Sequence, residues 1–139
     1  MEKVFLDSNV VIDFLLDRVP FAESAGELFM KAEDGELELF VCAGSFDNLY
    51  YIMRNHDLKH EQIIFLFRKM NRFVRAVAVD FDVVKNAIDH GHHDFEDAIQ
   101  FFCARKVKGL KTIISRDKRG FSRSKLTVLS AEEYLKTFN

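Results

Sequence analysis

A three-residue apolar run, Val4-Phe5-Leu6, stops at Asp7, and an apolar pattern then resumes at helical spacing through Val10, Val11, Phe14 and Leu15. The run reads as a buried strand and the spacing as a helix. The polar triplet Asp7-Ser8-Asn9 is the junction, with Ser8 or Asn9 placed to cap the free N–H groups of the helix. A chain that keeps alternating in this way builds a parallel sheet covered by helices. Ligands in such sheets bind beyond the carboxyl ends of the strands. Asp7 is therefore both an ordinary turn residue and a carboxylate placed for chemistry.

The alternation does continue. A helix over 21–34 closes on Gly35, a strand over 37–42 ends in the Ala43-Gly44 turn, and helices follow over 45–55 and 59–73. A strand over 74–79, helices over 81–90 and 94–107, the second burying Phe95, Ala98, Ile99, Phe102 and Cys103, and strands over 112–115 and 126–129 complete the pattern, with Asp13 and Asp17 of the first helix expected to face solvent. Ser130 and Glu133 form a capping box for the last helix. The expected fold is α/β: one domain over 1–139, a central parallel sheet of about five strands, and helices on both faces. An apolar content of 48% supports a real core, and a formal net charge of −2 excludes a global field that would draw the chain to nucleic acid or membrane. No apolar run is long enough to span a bilayer, and the first residues lack the basic and then apolar pattern of a secretory leader, so none is expected. Cys42 and Cys103 sit in apolar surroundings far apart in sequence and read as buried free thiols of a reducing compartment, with the cytoplasm as the default.

The acidic residues fall at strand ends. The first strand ends in Asp7 and the fourth in Ser115-Arg116-Asp117, on one rim of a parallel sheet. Asp94 and Asp97 are three apart on a helix, which puts both carboxylates on one face about 5–6 Å apart, while Glu96 points elsewhere. If that helix lays its first turn over the rim, Asp7, Asp97, Asp117 and Asp94 gather. Carboxylates in one pocket repel, and a hard divalent cation removes the repulsion. Mg²⁺ or Mn²⁺ would also activate water for phosphodiester cleavage. The plainer reading is that Asp94 and Asp97 complement a helix dipole and Asp117 sits in a turn.

Taken together these segments resemble the PIN domains, metal-dependent ribonucleases that include the VapBC-type toxins. Phe5-Leu6-Asp7-Ser8-Asn9-Val10-Val11 resembles the opening strand with the first acid. Phe95-Glu96-Asp97-Ala98 resembles the helical segment with the third, and Ile113-Ile114-Ser115-Arg116-Asp117, followed by Phe121, the segment with the fourth. The resemblance covers nearly the whole chain and rests on the set of segments and their order. It implies that Asp7, Asp97 and Asp117 hold Mg²⁺ or Mn²⁺ for attack of water on an RNA phosphate, with Asn9 and Ser115 holding water or phosphate. It also implies a small antitoxin as partner and a homodimer. One position departs: the family usually carries Glu in a Thr/Ser-Leu-x-Glu-Leu pattern, and Asn48 stands there within Ser45-Phe46-Asp47-Asn48-Leu49. An amide oxygen can ligate a cation but brings no charge. Asp94, one turn before Asp97, is the better candidate than Asp47 to restore it.

Nine of the twenty basic residues lie between Arg105 and Lys125, against the single acid Asp117. Arg116, Lys118 and Arg119, with Arg123 and Lys125, stand beside the proposed site as phosphate contacts. His90, His92 and His93 form a polar cluster, with His93 a candidate proton donor. Two rival functions remain. One is a catalytically weakened PIN-like module that binds RNA or a protein, favoured by Asn48. The other is a dehalogenase-type phosphatase, disfavoured because Asn9 stands where that mechanism needs a second Asp.

Overall fold

The computed structural model describes residues 1–90, 94–117 and 125–138. The elements in chain order are β1 (Glu2–Leu6), α1 (Ser8–Leu15), α2 (Ala22–Glu33), β2 (Leu37–Cys42), α3 (Ser45–Asn55), α4 (His60–Met70), β3 (Val74–Val77), α5 (Phe81–Asp89), α6 (Phe95–Lys106), β4 (Thr112–Ile114), β5 (Thr127–Leu129) and α7 (Ala131–Leu135). The five strands form one sheet in the order β3-β2-β1-β4-β5, and each pairing is parallel. The expected α/β architecture is the one observed.

Alternation along the central strands assigns the two faces. Val4, Leu6, Leu37, Leu39, Val41 and Ile114 pack under α1, α2, α3, α4 and α7. Phe5, Phe40, Cys42 and Ile113 pack under α5 and α6. The chain leaves β1 toward β2 and β3, then returns through α6 to β4 on the other side of β1. The direction of winding therefore reverses between β1 and β4, and a crevice opens there beyond the strand ends.

Most boundaries lie within a few residues of the sequence reading. The main difference is the rotation of α6. Phe95, expected in the core, is 52% exposed, whereas Gln100 and Phe101 are buried with Ala98, Cys103 and Ala104. Ile99 and Phe102 pack only at the edge of that core. The two cysteines are free and buried as expected, and the fold brings them together, with Sγ atoms 3.7 Å apart. Asp13 is the second difference: it is buried, not solvent-facing, while Asp17 is exposed.

Gly35 ends α2 in the left-handed region, φ +76°. Its N–H donates to Ala32 O, and Glu36 N–H to Lys31 O, which satisfies two of the last carbonyls of the helix. A Cβ at this position would meet nothing within 4 Å, so a side chain is opposed only by the backbone conformation. Gly35→Ala is expected to cost about 1 kcal/mol, read as a fall of about 3 °C in a thermal melt.

Candidate functional site

The register of β1 and β4 builds the centre of the site. Leu6 pairs with Ile114, so the next residues, Asp7 and Ser115, come side by side at the crevice. Asp7 N–H donates to Ile114 O at 2.9 Å. Ser115 Oγ donates to Asp7 Oδ2 at 2.7 Å and accepts from Asp117 N–H at 3.0 Å. Asp7 and Ser115 are 1% and 0% exposed. Ser115 was expected to hold phosphate or water; here its hydroxyl is buried and fastens Asp7.

Asp7 is itself the N-cap residue of α1, one or two residues earlier than Ser8 or Asn9 were expected to act, and its side chain makes no capping hydrogen bond. Its Oδ1 is buried with no hydrogen-bond partner among the described residues. A buried acceptor left in this way is costly and asks for a ligand. Burial pushes the Asp7 carboxyl above the ordinary carboxylate range, against the stabilising hydrogen bond from Ser115 and the nearby Gln100 amide dipole, and the charge of Glu96 adds to the rise.

Glu96 is thus brought to the site, not turned away from it. Ser8 Oγ donates to Glu96 Oε1 at 2.9 Å. Gln100 completes the clamp, accepting from Ser8 N–H at 3.0 Å and donating from Nε2 to Ser8 Oγ at 3.1 Å. The signal for this pair was present in the sequence. Glu96 and Gln100 are four apart on a helix, hence on one face, and Gln100 interrupts an apolar run.

Asp94 lies outside the helix as its N-cap, in extended conformation, and its Oδ1 accepts from Asp97 N–H at 3.1 Å. The same-face argument for Asp94 and Asp97 therefore does not hold, because Asp94 has no helical backbone, and Asp94 serves to start α6. Asp97 is half-buried in the first turn of α6, and Asp117 is exposed at the end of the described segment after β4. Asn9 is exposed in the first turn of α1. Asn48 is exposed in the first turn of α3 and lines a cleft of about 420 Å³ together with Ser45, Glu96 and Gln100. Among the described residues, no three Asp, Glu, His or Cys side chains are gathered closely enough to hold an ion.

Arg116, expected as a phosphate contact, is paired within the fold. Its Nε and Nη2 donate to Asp13 Oδ2 and Oδ1 at 2.7 and 3.1 Å, and its guanidinium lies 4.1 Å from the Phe21 ring centroid. Buried Asp13 needs a counter-charge, and Arg116 with its fork of donors supplies it. Lys106, also in the basic stretch, is tied to Asp80 at 3.0 Å. Lys118, Arg119, Phe121 and Arg123, with His92 and His93, lie outside the described residues. His90 closes α5 with its ring against Phe101 and Phe102, centroids 5.6 and 5.4 Å away.

A family model described as the PIN domain matches residues 3–119. The chain is similar to ribonuclease VapC1 of Aquifex aeolicus (strain VF5), 25% identical over an alignment of 143 positions that covers 99% of this chain and 96% of that one. Its fold is similar to the crystal structure of VapC20 of Mycobacterium tuberculosis, a sarcin-ricin loop cleaving toxin. The TM-score is 0.66 at 16% identity, covering 87% of this chain and 95% of the other. It is also similar to FitAcB from Neisseria gonorrhoeae, with a TM-score of 0.55 at 18% identity, over 93% and 98% of the two chains.

Proposed function

The chain belongs to the PIN domain family, and on that premise we propose that it is a metal-dependent ribonuclease that hydrolyses RNA phosphodiester bonds and serves as the toxin of a toxin–antitoxin pair. The observation that carries this reading is Asp7: a buried carboxylate at the switch point of the sheet, with one oxygen unpartnered and a second carboxylate, Glu96, near enough to repel it. The similarity to a VapC ribonuclease over nearly the full length of both chains supports it.

The donor chemistry fits Mg²⁺ or Mn²⁺. The groups around the crevice are carboxylate, hydroxyl and amide oxygens, the donors that hard cations take. Asp7, Asp97 and Asp117 would hold the ion, which supplies an activated water and stabilises the charge developing on the phosphate. The protein's own contribution is orientation. Ser115 fixes one oxygen of Asp7, and the other has no hydrogen-bond partner among the described residues. Ser8 and Gln100 hold the start of α1 against the start of α6, so that acids from two elements face one space. The two Asp-bearing helix N-termini add partial positive charge that favours an anionic substrate.

A small antitoxin that covers the acidic crevice is the expected partner, and a homodimer the expected assembly. Among the described residues no helix is long and apolar enough to cross a membrane, and a cytoplasmic site of action suits a nuclease of cellular RNA. Asn48 favours a second reading, a catalytically weakened module that binds RNA or a protein partner.

The test is cleavage of mixed single-stranded RNA by the folded, antitoxin-free chain with Mg²⁺, Mn²⁺ or excess EDTA, beside Asp97→Asn. Loss of cleavage by about a hundredfold in both EDTA and the variant is expected. Mn²⁺ binding without turnover under any condition selects the binding module instead.

A further inference from the structure

Asp7 and Glu96 come from different elements, yet the fold holds their charges together. Gln100, 1% exposed, grips both the backbone N–H and the hydroxyl of Ser8, and that hydroxyl donates to Glu96 Oε1. The clamp uses three hydrogen bonds to keep Glu96 beside the residue that follows Asp7. Glu96 is exposed, so water screens part of its repulsion of Asp7, and a cation between the two carboxylates would turn the rest into attraction. Among the described residues that line the cleft beside Glu96, Asn48 is an amide and none is Lys or Arg. Asp7 Oδ1, buried with no hydrogen-bond partner among the described residues, is the second sign that the site suits a cation. Mg²⁺ and Mn²⁺ sites of this kind use one or two carboxylates and fill the rest of the shell with water.

We propose that Glu96 is a metal-ligating residue, and that the divalent cation of this site is held chiefly between Asp7 and Glu96, with Glu96 supplying the charge that Asn48 lacks. This rests on the metal-nuclease reading and deepens it. The competing role for Glu96 is structural: an acid in the first turn of α6 that bonds Ser8 and complements the helix dipole.

Glu96→Gln separates the two, because a glutamine oxygen still accepts from Ser8 while the charge is gone. The experiment is calorimetric titration of Mn²⁺ into the full chain and its variants, with circular dichroism to establish folding. Glu96→Gln is expected to weaken Mn²⁺ binding by about tenfold or more with little change in the metal-free melting temperature. The Asn48→Glu, Glu96→Gln double variant, which moves the carboxylate to the opposite wall of the same cleft, is expected to regain most of the lost affinity. Unchanged Mn²⁺ affinity in Glu96→Gln, with Asp7→Asn abolishing it, overturns the role of Glu96 and leaves the nuclease reading standing. A double variant as weak as Glu96→Gln alone overturns the exchange with position 48. Mn²⁺ binding indifferent to Asp7→Asn overturns both this inference and the metal-nuclease reading.

Discussion

Asp7→Asn is expected to remove RNA cleavage while making the metal-free protein harder to unfold. The loss of cleavage, about a hundredfold at least, follows from replacing the central anionic oxygen with an amide. The gain in stability follows from burial. Asp7 is almost wholly withdrawn from water, bonded through Oδ2 only, and faced by Glu96. Its carboxyl is therefore pushed above the usual value of 3.8. Below that value both folded and unfolded chains carry the proton. As pH rises through it the unfolded chain ionises first, so the stability contributed by this group falls until the folded carboxyl has ionised too. Asparagine does not titrate. The variant's advantage is smallest at acid pH and grows toward neutrality, to on the order of 1–2 kcal/mol. Urea melts of both proteins in EDTA between about pH 4 and pH 8 measure it. Added Mg²⁺ should close the gap, because it stabilises only the protein that binds it. A variant less stable than the wild type at neutral pH would mean that the Asp7 anion is well solvated or paired, and the argument from its unpartnered oxygen would fail.

What was legible in the sequence is what depends on periodicity and local chemistry. Val4-Phe5-Leu6 before Asp7 gave the strand, the alternation along Leu37–Cys42 gave the second, and Gly35 marked a helix end that uses its positive φ. The parallel sheet followed from strands separated by helices, and with it the meeting of Asp7 and Ser115 at one rim. What escaped were partnerships across long sequence distances. Asp13 looked like a surface acid, one turn before Asp17 on the first helix; only the fold brings Arg116, 103 residues away, to neutralise it. Glu96 was set aside because the Asp94–Asp97 spacing was read on an ideal helix. Asp94 caps that helix instead, and the register that matters is Glu96 with Gln100 against Ser8. A cap shifts the start of a helix by one or two residues, and each residue turns the facing side chains by about 100°. That is enough to exchange which acid reaches the site and which aromatic, Phe101 in place of Phe95, enters the core.

Arg116→Ala is expected to destabilise the fold by about 2–4 kcal/mol, a larger effect than any surface arginine would give. Asp13 has a side chain only 2% exposed, and Arg116 meets it through two short hydrogen bonds. Removing the guanidinium leaves that carboxylate buried with Arg18, at 3.7 Å, as its remaining ion-pair partner among the described residues. The stacking on Phe21 is lost as well. Arg116→Lys should recover only part of the loss, since an ammonium cannot reproduce the fork. Asp13→Asn in the Arg116→Ala background should be milder than the sum of the single changes, because no stranded charge remains. The same variants separate a structural arginine from a phosphate ligand. Arg116 sits between Ser115, which fastens Asp7, and Asp117. If its role is to hold that segment, Arg116→Ala lowers the melting temperature and kcat together and leaves KM for RNA nearly unchanged. A phosphate ligand would instead raise KM, with a salt dependence weaker by about one phosphate contact, and leave the melting temperature where it was. The pairing with Asp13 requires the first result, because a guanidinium neutralised by a buried carboxylate has little net charge left to offer a phosphate.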